Sequence, residues 1–179
     1  NLYYDTANRL REVWNNNTIT AHHNYNPIGQ LTEKKLHRLG ASGNNFLQSV
    51  DYQYNPRGWL TQINQLALGS SNDINQDAFA QTLSYEANGN IAGIQIKSAY
   101  PDGSNAYNVT DLDADYTYDN LNRLLTANAQ LVAPATGNYS ETFTYNPAGN
   151  ITTLQRYGKL TPTTTGIIDQ LTYTYPNQS

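Results

Sequence analysis

A seven-residue motif recurs along this chain: a tyrosine, a short polar turn sequence, then Leu or Ile. The copies run Tyr4–Leu10, Tyr25–Leu31, Tyr54–Leu60, Tyr85–Ile91, Tyr118–Leu124 and Tyr145–Ile151, and Tyr175 opens a seventh. The tyrosines lie 21 to 33 residues apart. Self-similarity at that period marks a repeat architecture, in which each unit is too small to bury its own apolar face and must stack on its neighbours.

The motif itself reads as a turn. After the tyrosine stands Asp5, Asn26, Asn55, Glu86, Asp119 or Asn146. Pro27, Pro56 and Pro147 follow in three copies, and the fourth position is Asn8, Gly29, Gly58, Gly89, Asn122 or Gly149. Type I turns favour Asp or Asn first and Pro second, and Gly and Asn enter the left-handed region most cheaply. Together these features predict a three-residue hairpin loop closed by a bulge. In that register Tyr4 faces Leu10, Tyr25 faces Leu31, Tyr54 faces Leu60, Tyr85 faces Ile91, Tyr118 faces Leu124 and Tyr145 faces Ile151. Each such cross-strand pair contributes roughly 0.2–1 kcal/mol.

The approach to each tyrosine alternates. Leu2, His23, Tyr52, Leu83, Tyr116, Phe143 and Tyr173 stand two residues before it, with a polar residue between in every copy but the first. Period-two alternation predicts strands with one buried face. The outgoing side breaks that period, with apolar residues three apart (Leu60 and Ile63, Ile91 and Ile94, Ile151 and Leu154). A bulge or an early strand end accounts for this equally well.

The pattern Tyr-Asp/Asn-x-x-Gly/Asn-x-Leu/Ile resembles the YD repeat of the Rhs family, and it resembles the repeats of bacterial insecticidal toxin complexes and teneurins. Asp5–Leu10 and Asp119–Leu124 are nearest the name-giving form. The resemblance implies an all-β array of tandem hairpins, residues 1–179, forming one continuous twisted sheet that spirals as part of a hollow shell around a C-terminal toxin or other cargo. It implies a bacterial protein, secreted or at the cell surface, with a non-catalytic role for this segment. Partners at the sheet edges would be the remainder of its own chain or another subunit. The alternative is an adhesin or carbohydrate-binding module that uses the connections at 70–77 and 100–108.

Composition fits this class. The chain holds 179 residues, 15 Tyr against 3 Phe, and 13% charged residues, which suits a sheet with a polar outer face. A length of 179 residues is enough for a substantial core. A net charge of −4 gives no electrostatic case for nucleic acid or anionic membrane. There is no apolar run of membrane-spanning length and no cysteine for disulfides or Cys-based metal sites. The absence of methionine, with Asn1 first, reads as a fragment, a processed product or the ordered part of a larger chain.

The connections are expected to vary in length while the heptads do not. Asn15–Asn17 is read as a turn. Leu31–Leu39, rich in charge, is compatible with a short helix but is read as an exposed strand. Residues 66–81 are read as a decorated loop or a helical turn at Asp77–Phe79. Gly40–Asn45, Tyr100–Asn108, Ala129–Asn138 and Tyr157–Gly166 complete the connections.

No catalytic, cofactor or metal site is expected. Asp111, Asp113 and Asp115 mimic a calcium loop, but Tyr116 and Asn122 occupy the positions that need Gly and Glu. They are read as solvent-facing, opposite Leu112, Ala114, Tyr116 and Tyr118. His22 and His23 point to opposite faces of one strand and do not share a metal. His23 replaces an aromatic or Leu and reads as a half-buried packing residue. No Gly-x-Ser-x-Gly and no phosphate cradle is present. The tyrosines read as packing residues that hydrogen-bond through their hydroxyls rather than as a sugar platform.

Overall fold

A computed structural model describes residues 1–40, 45–66, 77–101, 107–133 and 136–176. All regular structure among them is β, and the strands are antiparallel neighbours in chain order: the all-β hairpin array that the heptads predict. The strands are β1 (Leu2–Tyr4), β2 (Leu10–Asn15), β3 (Thr18–Tyr25), β4 (Leu31–Arg38), β5 (Phe46–Tyr54), β6 (Leu60–Ile63) and β7 (Phe79–Tyr85). They continue as β8 (Ile91–Pro101), β9 (Tyr107–Tyr118), β10 (Leu124–Ala133), β11 (Gly137–Asn138), β12 (Glu141–Tyr145), β13 (Ile151–Lys159) and β14 (Thr165–Thr172). Sheet order follows sequence order, except that β12 lies beside β10 and the short β11 pairs with β10. The chain divides into two compact units. One holds Asn1–Thr82 with Ser98–Asn108, and the other holds Leu83–Lys97 with Val109–Ser179.

In the first unit, β1 to β6 form three hairpins, each turning through a heptad. The turn between β2 and β3 is the two-residue Asn16–Asn17, both left-handed with φ of 44° and 64°. Asn is the residue that a primed hairpin turn selects. The charged segment is strand β4, half-buried along most of its length with His37 exposed, and not the exposed strand its charge suggests. Its charges are accommodated by pairing: Lys35 bonds Glu33 at 3.2 Å, and Glu33 also accepts from Asn24 at 2.5 Å. Asp77–Phe79 is not helical. Phe79 opens β7, and the Ala99 amide bonds the Ala78 carbonyl at 2.9 Å. Residues 67–76, and most of the Gly40–Asn45 loop, lie outside the described residues.

In the second unit, strands reach into stretches read as connections. β10 continues to Ala133, and β13 and β14 leave only 160–164 between them. The Thr-rich sequence closes that loop through the Thr161 and Thr164 hydroxyls, 2.7 Å apart. At Gly158 an added Cβ would stand 2.9 Å from Ile168 Cδ1, so glycine there lets the paired strand pack close.

The expected buried face is not sealed. Ile19, Ala80, Ala99 and Ala114 are the buried apolar residues among those described. The heptad tyrosines after the first are half-buried up to Tyr145, and Tyr4 is exposed. Among the described residues no large side chain is fully buried. Packing here is lateral, between neighbours on the same face.

Candidate functional site

The heptads build one recurring device. Its frame is backbone: the amide of the first turn residue bonds the carbonyl of the fifth, and the fourth amide bonds the carbonyl of the first, at 2.8–3.1 Å in all six copies. The fourth residue is left-handed throughout, with φ of 59° at Asn8, 90° at Gly29, 82° at Gly58, 100° at Gly89, 60° at Asn122 and 88° at Gly149. The side chain at the first position then seals the loop. Asp5 Oδ1 accepts from the Ala7 and Arg9 amides, both at 2.9 Å. Asn26, Asn55 and Asp119 accept in the same way, and Asn146 Oδ1 accepts from Asn150. Glu86 carries an extra methylene in this position, and Asn88 Oδ1 accepts from Asn90 instead.

Beyond the loop the tyrosines meet their partners. Tyr4 stands opposite Leu10, Tyr25 opposite Leu31, Tyr54 opposite Leu60, Tyr118 opposite Leu124 and Tyr145 opposite Ile151. The register then slips by one residue. Ile63 consequently faces Tyr52, and Leu154 faces Phe143. This bulge, and not an early strand end, explains apolar residues three apart.

The device also couples each hairpin to the next. Tyr25 Oη donates to the Leu10 carbonyl at 2.8 Å and Tyr54 Oη to that of Leu31 at 2.9 Å. Tyr118 donates to Ile91 at 2.9 Å, Tyr145 to Leu124 at 2.7 Å and Tyr175 to Ile151 at 2.8 Å. Each hydroxyl thus caps the carbonyl that ends the preceding heptad. The fifth turn residue adds a second link. Arg9 pairs with Asp5 at 2.7 Å, lies 4.7 Å over the Tyr25 ring and donates to the Asn26 carbonyl at 3.3 Å. Arg123 does the same with Asp119 (2.6 Å), Tyr145 (4.8 Å) and Asn146 (3.0 Å). Gln30 Nε2 reaches the Gly58 carbonyl, and Asn88 and Asn90 reach Asn122. A spaced acid and base, Asp5/Arg9 and Asp119/Arg123, was the available signal for this link. Sequence alone showed the pair but not that it reaches into the next repeat.

The electrostatics follow the same geometry. The Arg9 amide bonded to Asp5 holds that carboxyl below its usual range, helped by the Arg9 guanidinium. The Arg123 amide does so for Asp119. Burial pushes the Tyr118 hydroxyl up, with Glu86 adding to the effect.

Elsewhere the polar candidates disperse. Asp115 is exposed and Ala114 buried, but Asp111 and Asp113 are half-buried, contrary to the reading of three solvent-facing aspartates. Asp111 holds Lys97 at 3.1 Å, which draws that end of the row inward. His22 bonds Glu12 and Asn24, while His23 is half-buried and faces Lys34 across the strand pair. No group of three metal-ligating side chains forms among the described residues. An open cleft of about 500 Å³ between Leu131, Asn138 and Thr163 carries no ionisable lining.

No family model and no curated protein matches the chain. Solved structures do. A crystal structure of TcdB2–TccC3 without its hypervariable C-terminal region matches 83% of this chain at 21% identity with a TM-score of 0.62. A TcdB2–TccC3–TEV structure matches 83% at 21% identity and 0.63. A Photorhabdus luminescens Tc holotoxin pore carrying a TccC3 mutation matches 86% at 17% and 0.59. The chain spans 8% of the first two chains and 10% of the third. It has the β-hairpin repeat fold of a segment of those toxin components, the fold to which its Rhs/YD-type heptads point.

Proposed function

We propose that residues 1–179 are a single array of repeats serving as a wall segment of a β-shell, which encloses a C-terminal toxin or other cargo polypeptide of a bacterial protein acting outside the cell. The observation that carries this reading is the tyrosine ladder. At five junctions the carbonyl that ends one heptad accepts the tyrosine hydroxyl of the next hairpin, an arrangement that favours extension by stacking repeats. The likeness to TcdB2–TccC3, of which it would be a small part, supports the same reading. The heptad residues act structurally, and the segment contributes no catalytic group.

Limited proteolysis of the native full-length polypeptide tests this. A segment C-terminal to the repeats resists cleavage until the repeats unfold, and then degrades quickly. Cleavage of that segment at the rate of its isolated form, with the repeats intact, would overturn the proposal.

A further inference from the structure

The heptad Tyr85–Ile91 differs from its fellows just before the turn glycine. It carries Asn88 there, where the other copies carry Ala7, Ile28, Arg57, Leu121 and Ala148, and Asn88–Gly89 is the sole Asn-Gly step in the chain. An asparagine loses its side-chain amide most readily before glycine, because glycine has no Cβ to keep its backbone nitrogen from the Asn Cγ. In the folded turn each reacting group is engaged. The Gly89 amide donates to the Glu86 carbonyl at 3.1 Å. Asn88 Oδ1 accepts from the Asn90 amide at 3.0 Å, and Asn88 Nδ2 donates to Asn122 Oδ1 of the next heptad at 2.8 Å. Asn122 Oδ1 also accepts from Asn90 Nδ2 at 3.0 Å, and Asn90 Nδ2 reaches Glu86 Oε2 at 3.2 Å. The Asn88 side chain is exposed, so water has access to it.

We propose that Asn88 is a deamidation site which the closed turn shields, and that its conversion keeps this junction from closing again. Once the turn opens, the Gly89 backbone nitrogen gives up its proton to solvent and bonds to Asn88 Cγ. The Cγ–Nδ2 bond breaks and the side-chain nitrogen leaves as ammonia. Water then opens the cyclic imide at either carbonyl, leaving aspartate or isoaspartate; one water is consumed, one ammonia is released, and nothing is oxidised or reduced. Aspartate at this place still accepts from the Asn90 amide but has no proton for Asn122 Oδ1. It also sets a second carboxylate in the turn that holds Glu86. Turning the Asn122 amide over to donate to that carboxylate would remove the acceptor that Asn90 Nδ2 uses. Isoaspartate inserts a methylene into the main chain of the loop, between the groups of the 2.8 Å bond from the Glu86 amide to the Asn90 carbonyl. Either product removes a link across the junction. The inference does not depend on what the array encloses.

The test incubates the native full-length polypeptide in parallel without denaturant and in urea that unfolds the repeats, and follows Asn88 by peptide mass spectrometry. Conversion is expected to be about tenfold or more slower in the folded chain, because the reaction waits on local opening. Equal rates overturn the shielding, and no conversion in urea overturns the site. The converted chain is then refolded and compared by hydrogen exchange with a chain unfolded only briefly. Faster exchange of the Glu86 and Gly89 amides is expected in the converted chain, and identical exchange overturns the proposed block to reclosure. Asn88→Asp separates the aspartate product from isoaspartate. Its urea midpoint at neutral pH is expected below that of the unsubstituted chain, and an unchanged midpoint overturns the part assigned to the Asn122 link.

Discussion

Tyr145 joins two hairpins with one oxygen. Its hydroxyl caps the Leu124 carbonyl at 2.7 Å while the ring packs opposite Ile151 and under Arg123. Tyr145→Phe keeps the ring and removes the cap, and should cost about 0.5–1.5 kcal/mol in a urea titration. Two half-buried titratable residues push the pH response of the first unit in opposite directions. Burial lowers the pKa of His23 from its ordinary 6.5, so the unfolded chain takes up the proton more readily. Its contribution to stability is therefore present above about pH 6.5 and is lost as pH falls through the folded value. His23→Tyr, the residue type other copies use at this place, should flatten the loss of melting temperature below pH 6.5. Asp51 shifts the other way, raised first by burial and then by the charge of Glu33, which faces it directly. Its contribution is present below the ordinary 3.8 and is lost as pH rises through the folded value. At neutral pH the ionised carboxylate is a cost. Asp51→Asn should raise the melting temperature at pH 7 and leave it unchanged near pH 3.

At the level of the hairpin, the fourth turn position decides whether the loop closes without strain. Gly149 sits at φ 88° with nothing within 4 Å of an added Cβ, so backbone conformation alone sets the cost of substitution. Gly149→Ala should cost about 1–2 kcal/mol, and Gly149→Asn markedly less, because Asn8 and Asn122 already serve in this place. Equal denaturation midpoints for the two variants would contradict this account. The turn was legible in the sequence because its demands are local: an Asx acceptor, a left-handed fourth residue and a tyrosine facing Leu or Ile. The register slip at Thr61 and Thr152 was legible only as a broken period, since a bulge and a strand end remove the same residue from alternation. The strand ends were less legible. β13 and β14 run through Tyr157 and Gly166, where Thr and Gly read as loop, because pairing with a neighbouring strand overrides weak local preference.

Across the whole chain, the sequence disclosed the repeat but not the thickness of what it builds. Alternation at Tyr52–Tyr54 or Phe143–Tyr145 looks the same whether the apolar face meets a second layer or only its lateral neighbours. Nor did it disclose that Arg9 and Arg123 act across junctions, because the Tyr25 ring and the Asn146 carbonyl they reach are 16 and 23 residues away. Modularity makes a further prediction. Removing one whole repeat, residues 118–144, joins Thr117 to Tyr145 and restores the same device one step along. That deletion should keep a β-sheet circular dichroism spectrum and a cooperative melt, whereas removing only the return strand 124–133 would set two like-directed strands side by side and abolish both.

The hydroxyl ladder has a mechanical consequence. Neighbouring hairpins meet along paired strands, from the short β6–β7 pairing to the longer β13–β14 one, and these junctions lie in series along the order of the strands. Tension applied to the Tyr175 end would therefore load one junction at a time, so the array would peel from that end and leave the remainder intact. In the proposed shell role, a wall joined in this way would be drawn out as a thread.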